Sequence, residues 1–324
     1  NSGIMKKFFK VLMIIVILLI VVVGIFATYI SMRSIPKFAV KKIDVKVEST
    51  AARVERGTKL ASMLCRGCHY SEATKKFTGR ELSEAPQFGK IYSANITQDP
   101  VAGIGKWSDA DIIYLIRIGV KPDGQYIPPY MPKLIHISDE DIHSIVAFLR
   151  SGNDWVQPYS LKMPASKPSF LTKFLVTIKA MQPFEYPTAP IPEPDTTDMV
   201  KWGKYISCYQ YECFSCHSQD FAKNDYFVPE KSPGFFAGGN KMFTMEGKPI
   251  SSLNITMDKN TGIGNWTEEQ FINAVKSGIV PNGGHALRYP MQPYANLTDK
   301  EVKAIYAYLK TIPAINNRVE RGGQ

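Results

Sequence analysis

Apolar residues follow two patterns along this chain. Val11 to Ile30 is an apolar run of about 20 residues without a charge, long enough to cross the hydrocarbon layer of a membrane as a helix. Beyond it, shorter segments carry apolar residues at the spacing of one helix face, with polar residues between them. The patterns therefore predict an N-terminal transmembrane helix followed by small helical domains.

Four of these shorter segments begin with a capping sequence, in which Ser or Thr is followed three residues later by an acidic residue or Gln. The pairs are Ser108/Asp111, Ser138/Asp141, Thr267/Gln270 and Thr298/Glu301. Apolar residues at helical spacing follow each pair, so we expect four helices that each bury one face. Two more helices are predicted over Ala52 to Leu64 and Met199 to Tyr211.

The two halves of the chain repeat the same motifs in the same order. An Asn-Ile-Thr triplet begins at Asn95 and again at Asn254, and a Gly-Ile-Gly-x-Trp sequence ends at Trp107 and again at Trp266. The offset between the copies is the same for both motifs, which chance composition would not maintain. The sequence therefore predicts a tandem duplication.

Each half also contains one Cys-x-x-Cys-His sequence. The residues are Cys65, Cys68 and His69 in the first half and Cys213, Cys216 and His217 in the second. Two thiols at this spacing can bond the two vinyl-derived carbons of one porphyrin, and the adjacent His can then ligate its iron. Zinc would need two further ligands at short spacing, and a thiol redox pair would not need the His. The motifs predict two covalently bound haem c groups.

Two methionines are predicted to be the sixth iron ligands. Met131 and Met291 hold equivalent, proline-flanked places before matched helices, and proline stiffens such a loop. A Met/His pair is typical of a high-potential electron-transfer haem. The alternatives are that each Met only packs in the core, or that a histidine is the ligand. The candidate histidines are His136 and His285, which have no counterpart in the other half, and His143, which lies on a predicted helix.

The repeated Asn and Trp residues are candidates for the haem edge. We expect Asn95, Trp107, Asn254 and Trp266 to pack on the propionate edges of the haems or to hydrogen-bond to them. The alternative is that these four residues shape loops and helix starts without touching haem. Beyond the haem ligands no acid/base or nucleophilic constellation is visible, and Cys208 is expected to be a buried, inert thiol. The chain is therefore expected to be an electron carrier and not an enzyme by itself.

The chain is basic, with a formal net charge of +10 and a pI of about 9.2. Charge alone would permit nucleic-acid binding, but the lysines are scattered and no nucleic-acid motif is present. A basic surface suits docking to an acidic redox protein or contact with anionic membrane lipid, and a generic solvated surface is an equal alternative.

The motifs divide the chain into six predicted segments: 1–32 membrane anchor, 33–50 juxtamembrane linker, 51–157 first haem domain, 158–195 proline-rich inter-domain segment, 196–316 second haem domain and 317–324 C-terminal tail. The apolar part of the inter-domain segment, 169–181, is too short and too polar to span a membrane. It is expected to pack as a helix between the domains; a place on the membrane surface or against a partner subunit is the alternative.

Together these motifs resemble the multihaem cytochrome c subunits of membrane-bound alcohol, aldehyde and gluconate dehydrogenases. The resemblance covers most of residues 50–315 and rests on the Asn-Ile-Thr, Gly-Ile-Gly-x-Trp and Met-Pro sequences, with Phe235 to Gly239 also similar. It implies an all-α fold of two tandem class I cytochrome c domains, and electron flow from a periplasmic dehydrogenase toward quinone or an oxidase. This chain has two haem motifs where that family has three, and it has an N-terminal anchor.

The predicted function is that of a membrane-tethered dihaem cytochrome c carrying single electrons between respiratory partners. The alternatives are a stable cytochrome subunit of a dehydrogenase and a dihaem peroxidase, which would need an open sixth position at one iron. Lys6, Lys7 and Lys10 place the N-terminus in the cytoplasm. Resemblance to c-type cytochromes places the haem domains on the periplasmic side of a bacterial inner membrane. A cleaved signal peptide is disfavoured by the length of the apolar run and the lack of an Ala-x-Ala site.

Overall fold

The computed structural model of the chain describes residues 2–281, 286–287, 289–320 and 322. Its first helix, α1 (Ser2–Met32), contains the apolar run. Gly3–Met32 is long and apolar enough to cross a membrane, by length and composition alone. Nearly all side chains of α1 are exposed, and Ile30 near its end is the fully buried exception. The helix therefore stands away from the rest of the chain until its last two turns.

The remaining helices form two units of similar plan, joined by α6 (Phe170–Thr177). The first unit contains α2 (Ala51–Leu64), α3 (Arg66–His69), α4 (Asp109–Ile118) and α5 (Asp139–Leu149). The second unit contains α7 (Met199–Lys204), which continues as a π-helix over Tyr205–Gln210, and then α8 (Cys213–His217), α9 (Glu268–Ser277) and α10 (Asp299–Leu309). One apolar core includes buried residues of both units.

Two short antiparallel sheets accompany the helices. Strand β1 (Gly89–Lys90) pairs with β2 (Lys167–Pro168), and β3 (Lys241–Phe243) pairs with β4 (Pro249–Ser251). The expected all-α fold therefore holds for the dominant elements but leaves out these sheets. Runs of two or three residues within long loops carry too little alternation to be recognised as strands in a sequence.

The capping sequences mark the starts of four helices as predicted. Ser108, Thr267 and Thr298 form reciprocal capping boxes at α4, α9 and α10. At α5 the box is only half formed: Ser138 accepts a hydrogen bond from the backbone N–H of Asp141, but the Asp141 carboxylate bonds elsewhere.

The Asp141 carboxylate instead joins the two units. It is fully buried and accepts hydrogen bonds from Arg56 Nε at 2.6 Å, Tyr205 OH at 2.5 Å and Gln210 Nε2 at 2.8 Å. Tyr205 OH also accepts a hydrogen bond from the backbone N–H of Ser138 at 2.8 Å. A buried carboxylate without such partners would be costly, so these bonds hold the second unit in register against the first.

A glycine permits the close crossing of two helices in each unit. A Cβ on Gly57 of α2 would lie 1.8 Å from the carbonyl oxygen of Ser144 on α5, and a Cβ on Gly203 of α7 would lie 1.9 Å from that of Ala304 on α10. Any side chain at these two positions must push the paired helices apart. The close crossing therefore fixes the position of one helix of each pair relative to the other.

Replacing Gly57 with Ala should destabilise the first unit by about 2 kcal/mol, since overpacking typically costs 1–3 kcal/mol. The sign of this stability change is informative, because Ala would stabilise the helix over Gly by about 1 kcal/mol if there were space for its side chain. Gly152→Ala is the matched control, as a Cβ there meets nothing within 4 Å. Thermal unfolding of the haem-loaded protein, followed by circular dichroism, measures both variants. A Gly57→Ala protein as stable as the parent would show that the helices do not cross this closely.

Candidate haem sites

The first unit encloses a cavity of about 990 Å³ whose walls include Cys65, Cys68, His69 and Met131. Apolar side chains supply much of the remaining wall; among them are Leu64, Ile96, Ile104, Ile112, Leu134 and Ile145. A largely apolar cavity with two thiols, one imidazole and one thioether matches the donor set that holds a haem covalently. The residues present therefore fit a haem group in this unit.

Each motif histidine is held in one tautomer. Nδ1 of His69 lies 2.8 Å from the carbonyl oxygen of Ala94, and Nδ1 of His217 lies 2.8 Å from that of Leu253. A carbonyl oxygen only accepts, so Nδ1 carries the proton and the Nε2 lone pair is left for a metal. Burial lowers the pKa of both imidazoles, which favours the neutral, ligating form.

Burial also keeps the motif cysteines protonated. It raises the pKa of Cys65 and of Cys213 to about 12, and that of Cys216 to about 11. Thiol redox pairs have a lowered pKa, because the thiolate is their nucleophile. Among the described residues no group of three or more His, Cys, Asp or Glu side chains could hold a bare metal ion. Both findings disfavour the redox-pair and zinc alternatives.

In each unit, side chains donate hydrogen bonds to the turn between the two motif cysteines. The sequence did not reveal these bonds. In the first unit Arg80 donates from Nε and Nη2 to the carbonyl oxygen of Gly67, at 2.9 and 2.8 Å. In the second unit Asn224 and Asn240 donate to the carbonyl oxygen of Ser215, at 2.8 and 3.2 Å. The two units use different residues for one purpose, so the repeat alone could not identify them.

The predicted Met loops occupy equivalent places in the two units. The loop that contains Met131 begins at Ile127, whose backbone N–H donates to the carbonyl oxygen of Gly119. It ends at Leu134, whose backbone N–H donates to the carbonyl oxygen of Ile116. The second unit has the matching backbone hydrogen bonds, from the N–H of Leu287 to the carbonyl oxygen of Gly278 and from that of Tyr294 to the carbonyl oxygen of Val275. Their lengths are within 0.1 Å of those in the first unit. Met131 lines the cavity and Met291 lies half-buried in the matching loop. Ligation by either Met remains a prediction.

The competing ligands lie elsewhere or have no repeat. His136 packs its ring against Tyr209 at 5.3 Å and Phe227 at 5.9 Å, and neither it nor His143 is among the described residues that line the cavity. His285 lies outside the described residues. Met163 does line the same cavity as Met131, so sequence position alone did not show every thioether near this site.

A buried lysine fastens the Met131 loop. Lys133 is 6% exposed, and its Nζ donates to the carbonyl oxygens of Pro128 at 2.8 Å and Met131 at 2.6 Å. Burial lowers the pKa of Lys133 to about 7. The loop therefore closes on a buried amine donor at its centre. The equivalent position in the second unit is Pro293, which stiffens the backbone without a donor.

Replacing Lys133 with Met should loosen the Met131 loop, because two carbonyl oxygens lose their donor at a cost of about 2 kcal/mol. We expect the weak absorption band that reports a Met–Fe(III) bond to fall for one haem and persist for the other. Lys106→Met, at an exposed lysine, is the control and should leave the band unchanged. An unaltered band in Lys133→Met would show that the loop does not depend on this lysine.

The repeated Asn residues serve the protein itself. Asn95 donates from Nδ2 to the carbonyl oxygens of Tyr159 and Leu161, and its Oδ1 accepts from the N–H and hydroxyl of Thr97. Asn254 makes the matching bonds to Ile315 and Thr256, with a further bond to Thr261. Both Nδ2 hydrogens of each amide are used within the protein, and Asn95 also lines the cavity, so contact of Asn95 and Asn254 with haem remains a prediction that these hydrogen bonds do not themselves support. They close the loop onto the segment that follows the last helix of each unit.

The repeated tryptophans were also expected at the haem edges. Trp107 lines the cavity and is half-buried, and its indole N–H has no partner among the described residues. The backbone N–H of Trp107 donates to the carbonyl oxygen of Ile104 at 3.1 Å, and that of Trp266 donates to the carbonyl oxygen of Ile263 at 2.9 Å. Trp107 and Trp266 thus start their helices in the same way, and their contact with haem remains a prediction.

The attachment segment of the first unit adjoins the Met291 loop of the second. A cleft of about 180 Å³ is lined by Cys68 and its neighbours on one side, and on the other by residues that flank Met291: Tyr289, Pro290, Gln292, Pro293 and Tyr294. Asn296 Nδ2 donates to Ser62 Oγ at 2.7 Å beside it, and Lys59 Nζ forms an ion pair with Glu301 at 2.5 Å. The loop that contains Met291 in the second unit thus faces the Cys-x-x-Cys-His segment of the first unit.

Comparison with known proteins gives both units the same relatives. The family model described as cytochrome c matches residues 54–153 and 206–313. The cytochrome c subunit of a quinone alcohol dehydrogenase from Gluconobacter oxydans is 28% identical over 83% of this chain and 56% of its own length. The gluconate 2-dehydrogenase cytochrome c subunit of Pantoea cypripedii is 27% identical over 82% of this chain and 61% of its own length.

A relative described as a diheme cytochrome c-type protein, from Cereibacter sphaeroides, is 26% identical over 78% of this chain and 82% of its own length. The chain spans little more than half of the alcohol dehydrogenase subunit but most of this one. The family matches cover both Cys-x-x-Cys-His motifs and both Met loops, and covalently bound haem c is what such domains carry. With its two matched units, the chain belongs to the cytochrome c family.

Proposed function

We propose that this chain is a membrane-tethered dihaem cytochrome c that carries single electrons between respiratory redox partners on the periplasmic side of a bacterial inner membrane. One observation carries the proposal: both units hold a Cys-x-x-Cys-His motif whose His is fixed with Nε2 free, within a cytochrome c family match. Haem, when bound, supplies an iron that alternates between Fe(II) and Fe(III). The protein's residues set the access and the potential of that iron.

The units are proposed to hold one haem each, with ligands His69 and Met131 in the first and His217 and Met291 in the second. The domain limits 51–157 and 196–316 are proposed with them, because the helices and the Asn-Ile-Thr motif of each unit fall within those limits. The hydrogen bonds from Asn95 to Tyr159 and Leu161 reach just past the first limit. The cleft between Cys68 and the Met291 loop supports electron exchange between the two units of one chain.

The tether is proposed from α1. Its apolar run matches the thickness of the hydrocarbon layer, and its side chains are exposed almost throughout, as those of a lipid-facing helix would be. Lys6, Lys7 and Lys10 precede the run and favour a cytoplasmic N-terminus. The resemblance to c-type cytochromes supports the periplasmic side for both units.

A second candidate function is that of a cytochrome subunit in a periplasmic dehydrogenase complex. The names of the relatives favour it, since alcohol and gluconate dehydrogenase cytochrome subunits align with more than four fifths of this chain. The dihaem relative supports the carrier, since 82% of its length aligns with this chain.

Capture of the chain from its native membrane in mild detergent, followed by mass spectrometry of what stays bound, tests the two candidates. Oxidase or other respiratory-complex subunits bound in a salt-sensitive way are the expected result for a carrier. A quinoprotein or flavoprotein dehydrogenase that survives high salt would replace the carrier with the subunit role. A purified protein that accepts no electrons from any reductant would overturn both.

A further inference from the structure

Helix α6 packs against the end of α1. The ring of Phe174 on α6 meets the ring of Phe26 on α1 edge to face, with centroids 6.2 Å apart. Lys173 Nζ donates to the carbonyl oxygen of Ser31 at 2.8 Å, in the last turn of α1. The sequence favoured packing of this segment between the two haem units; its contacts are with α1 and with the first unit, where Val176 joins a cluster that includes Ile35.

These contacts fix the depth of α6 relative to the apolar run. Val11 to Ile30 spans about 30 Å at 1.5 Å per residue, the thickness of the hydrocarbon layer, so the boundary falls near Ile30. Phe26 precedes Ile30 by four residues, which places it about 6 Å inside that boundary. Helices that lie on a membrane bury their apolar face about 5–10 Å into it.

The outer face of α6 is apolar and uncovered among the described residues. Phe170, Leu171 and Ile178 are 48%, 55% and 48% exposed, whereas Thr172 and Val176 on the opposite side are buried. Lys173 and Lys179 flank the exposed residues, and cations at this level suit the phosphates of a lipid surface. The ring of Phe170 stacks on that of Phe174, which in turn meets Phe26, so the exposed face adjoins the apolar surface of α1.

We propose that α6 lies in the surface of the bilayer, with Phe170, Leu171 and Ile178 among the lipid chains next to the head groups. The inference rests on the proposed membrane tether and deepens it. With α6 as a second contact beside α1, the orientation of the first unit relative to the membrane is fixed. The cavity of that unit is lined in part by Met32 to Ile35, the segment that leaves α1. The first haem site therefore sits at the membrane surface, and a membrane-embedded redox partner meets that site first.

Spin labels in the full-length, haem-loaded protein test the seating of α6. The protein is reconstituted into phosphatidylethanolamine/phosphatidylglycerol vesicles, with Cys208→Ser removing the free thiol. Leu171→Cys carries the label, Ile20→Cys in α1 is the benchmark for lipid, and Ile279→Cys, 63% exposed in the second unit, is the control for water. The measurement is the ratio of collisions with O2, which concentrates in lipid, to collisions with a water-soluble nickel chelate.

We expect the ratio at position 171 to exceed that at position 279 at least fivefold and to approach that at position 20. A ratio at 171 equal to that at 279, with lipid values at 20, would overturn the seating of α6 and leave the tether intact. Water values at 20 as well would overturn the tether itself. Shielding of 171 from both reagents would show that protein, not lipid, covers this face, which also overturns the proposal. Ile178→Cys repeats the test if the first label disturbs haem absorption.

Discussion

Replacing Met131 with Ala is expected to lower the midpoint potential of one haem by about 0.2 V, a quarter of the roughly 0.8 V range that axial ligands cover. A thioether is a soft ligand that favours Fe(II), so its loss shifts the balance toward Fe(III). The other haem should keep its potential, because Met291 belongs to a separate loop. A spectroelectrochemical titration of the purified protein resolves the two midpoints.

Two further variants make the assignment specific. Met291→Ala should shift the other midpoint and leave the first, as the loops are equivalent. Met163 lines the same cavity as Met131 but has no repeat in the second unit, so Met163→Ala should leave both midpoints within a few tens of millivolts, a small part of the range open to axial ligands. If Met163→Ala gave the large shift and Met131→Ala did not, the sixth ligand would have been assigned to the wrong loop.

Features of the fold that depend on local sequence could be predicted. Helix starts at Ser108, Thr267 and Thr298 follow from side chains that bond within their own first turn. The repeat also pointed to equivalent loops, because both copies keep the same residues at the same spacing. The position of His69 and His217 beside the cysteines predicts them as iron ligands, which remains a prediction, but it did not reveal the carbonyl groups that set their tautomers.

Features that depend on distant residues could not be predicted. Asp141 stands in the same sequence pattern as Asp111, yet its carboxylate bonds to Tyr205, 64 residues away in the other unit. Lys133 was one basic residue among many until the fold buried it under the Met131 loop. Asn95 was repeated and polar, which suggested haem, but its partners lie 64 and 66 residues later in the chain. Sequence repetition therefore identified residues that matter without telling which group they bond.

Removing one pair of motif cysteines should halve the haem content of the protein. In Cys65→Ala/Cys68→Ala the first unit loses both thiols that would bond the porphyrin, whereas Cys213 and Cys216 are untouched. Mass spectrometry of the intact chain should then show one covalently bound haem in place of two, and the haem absorbance per protein should fall to half. Cys213→Ala/Cys216→Ala should give the same count, with the haem now retained in the first unit.

The fifth cysteine provides the matched control for this experiment. Cys208 stands outside both Cys-x-x-Cys-His motifs, is 2% exposed, and has its thiol 3.8 Å from Tyr308 OH, so we expect it not to bond porphyrin. Cys208→Ala should therefore keep both haems. A parent protein with a single haem would contradict the proposed two sites. Loss of both haems in either double variant would instead mean that the units mature together, through the core and the buried Asp141 contacts that they share.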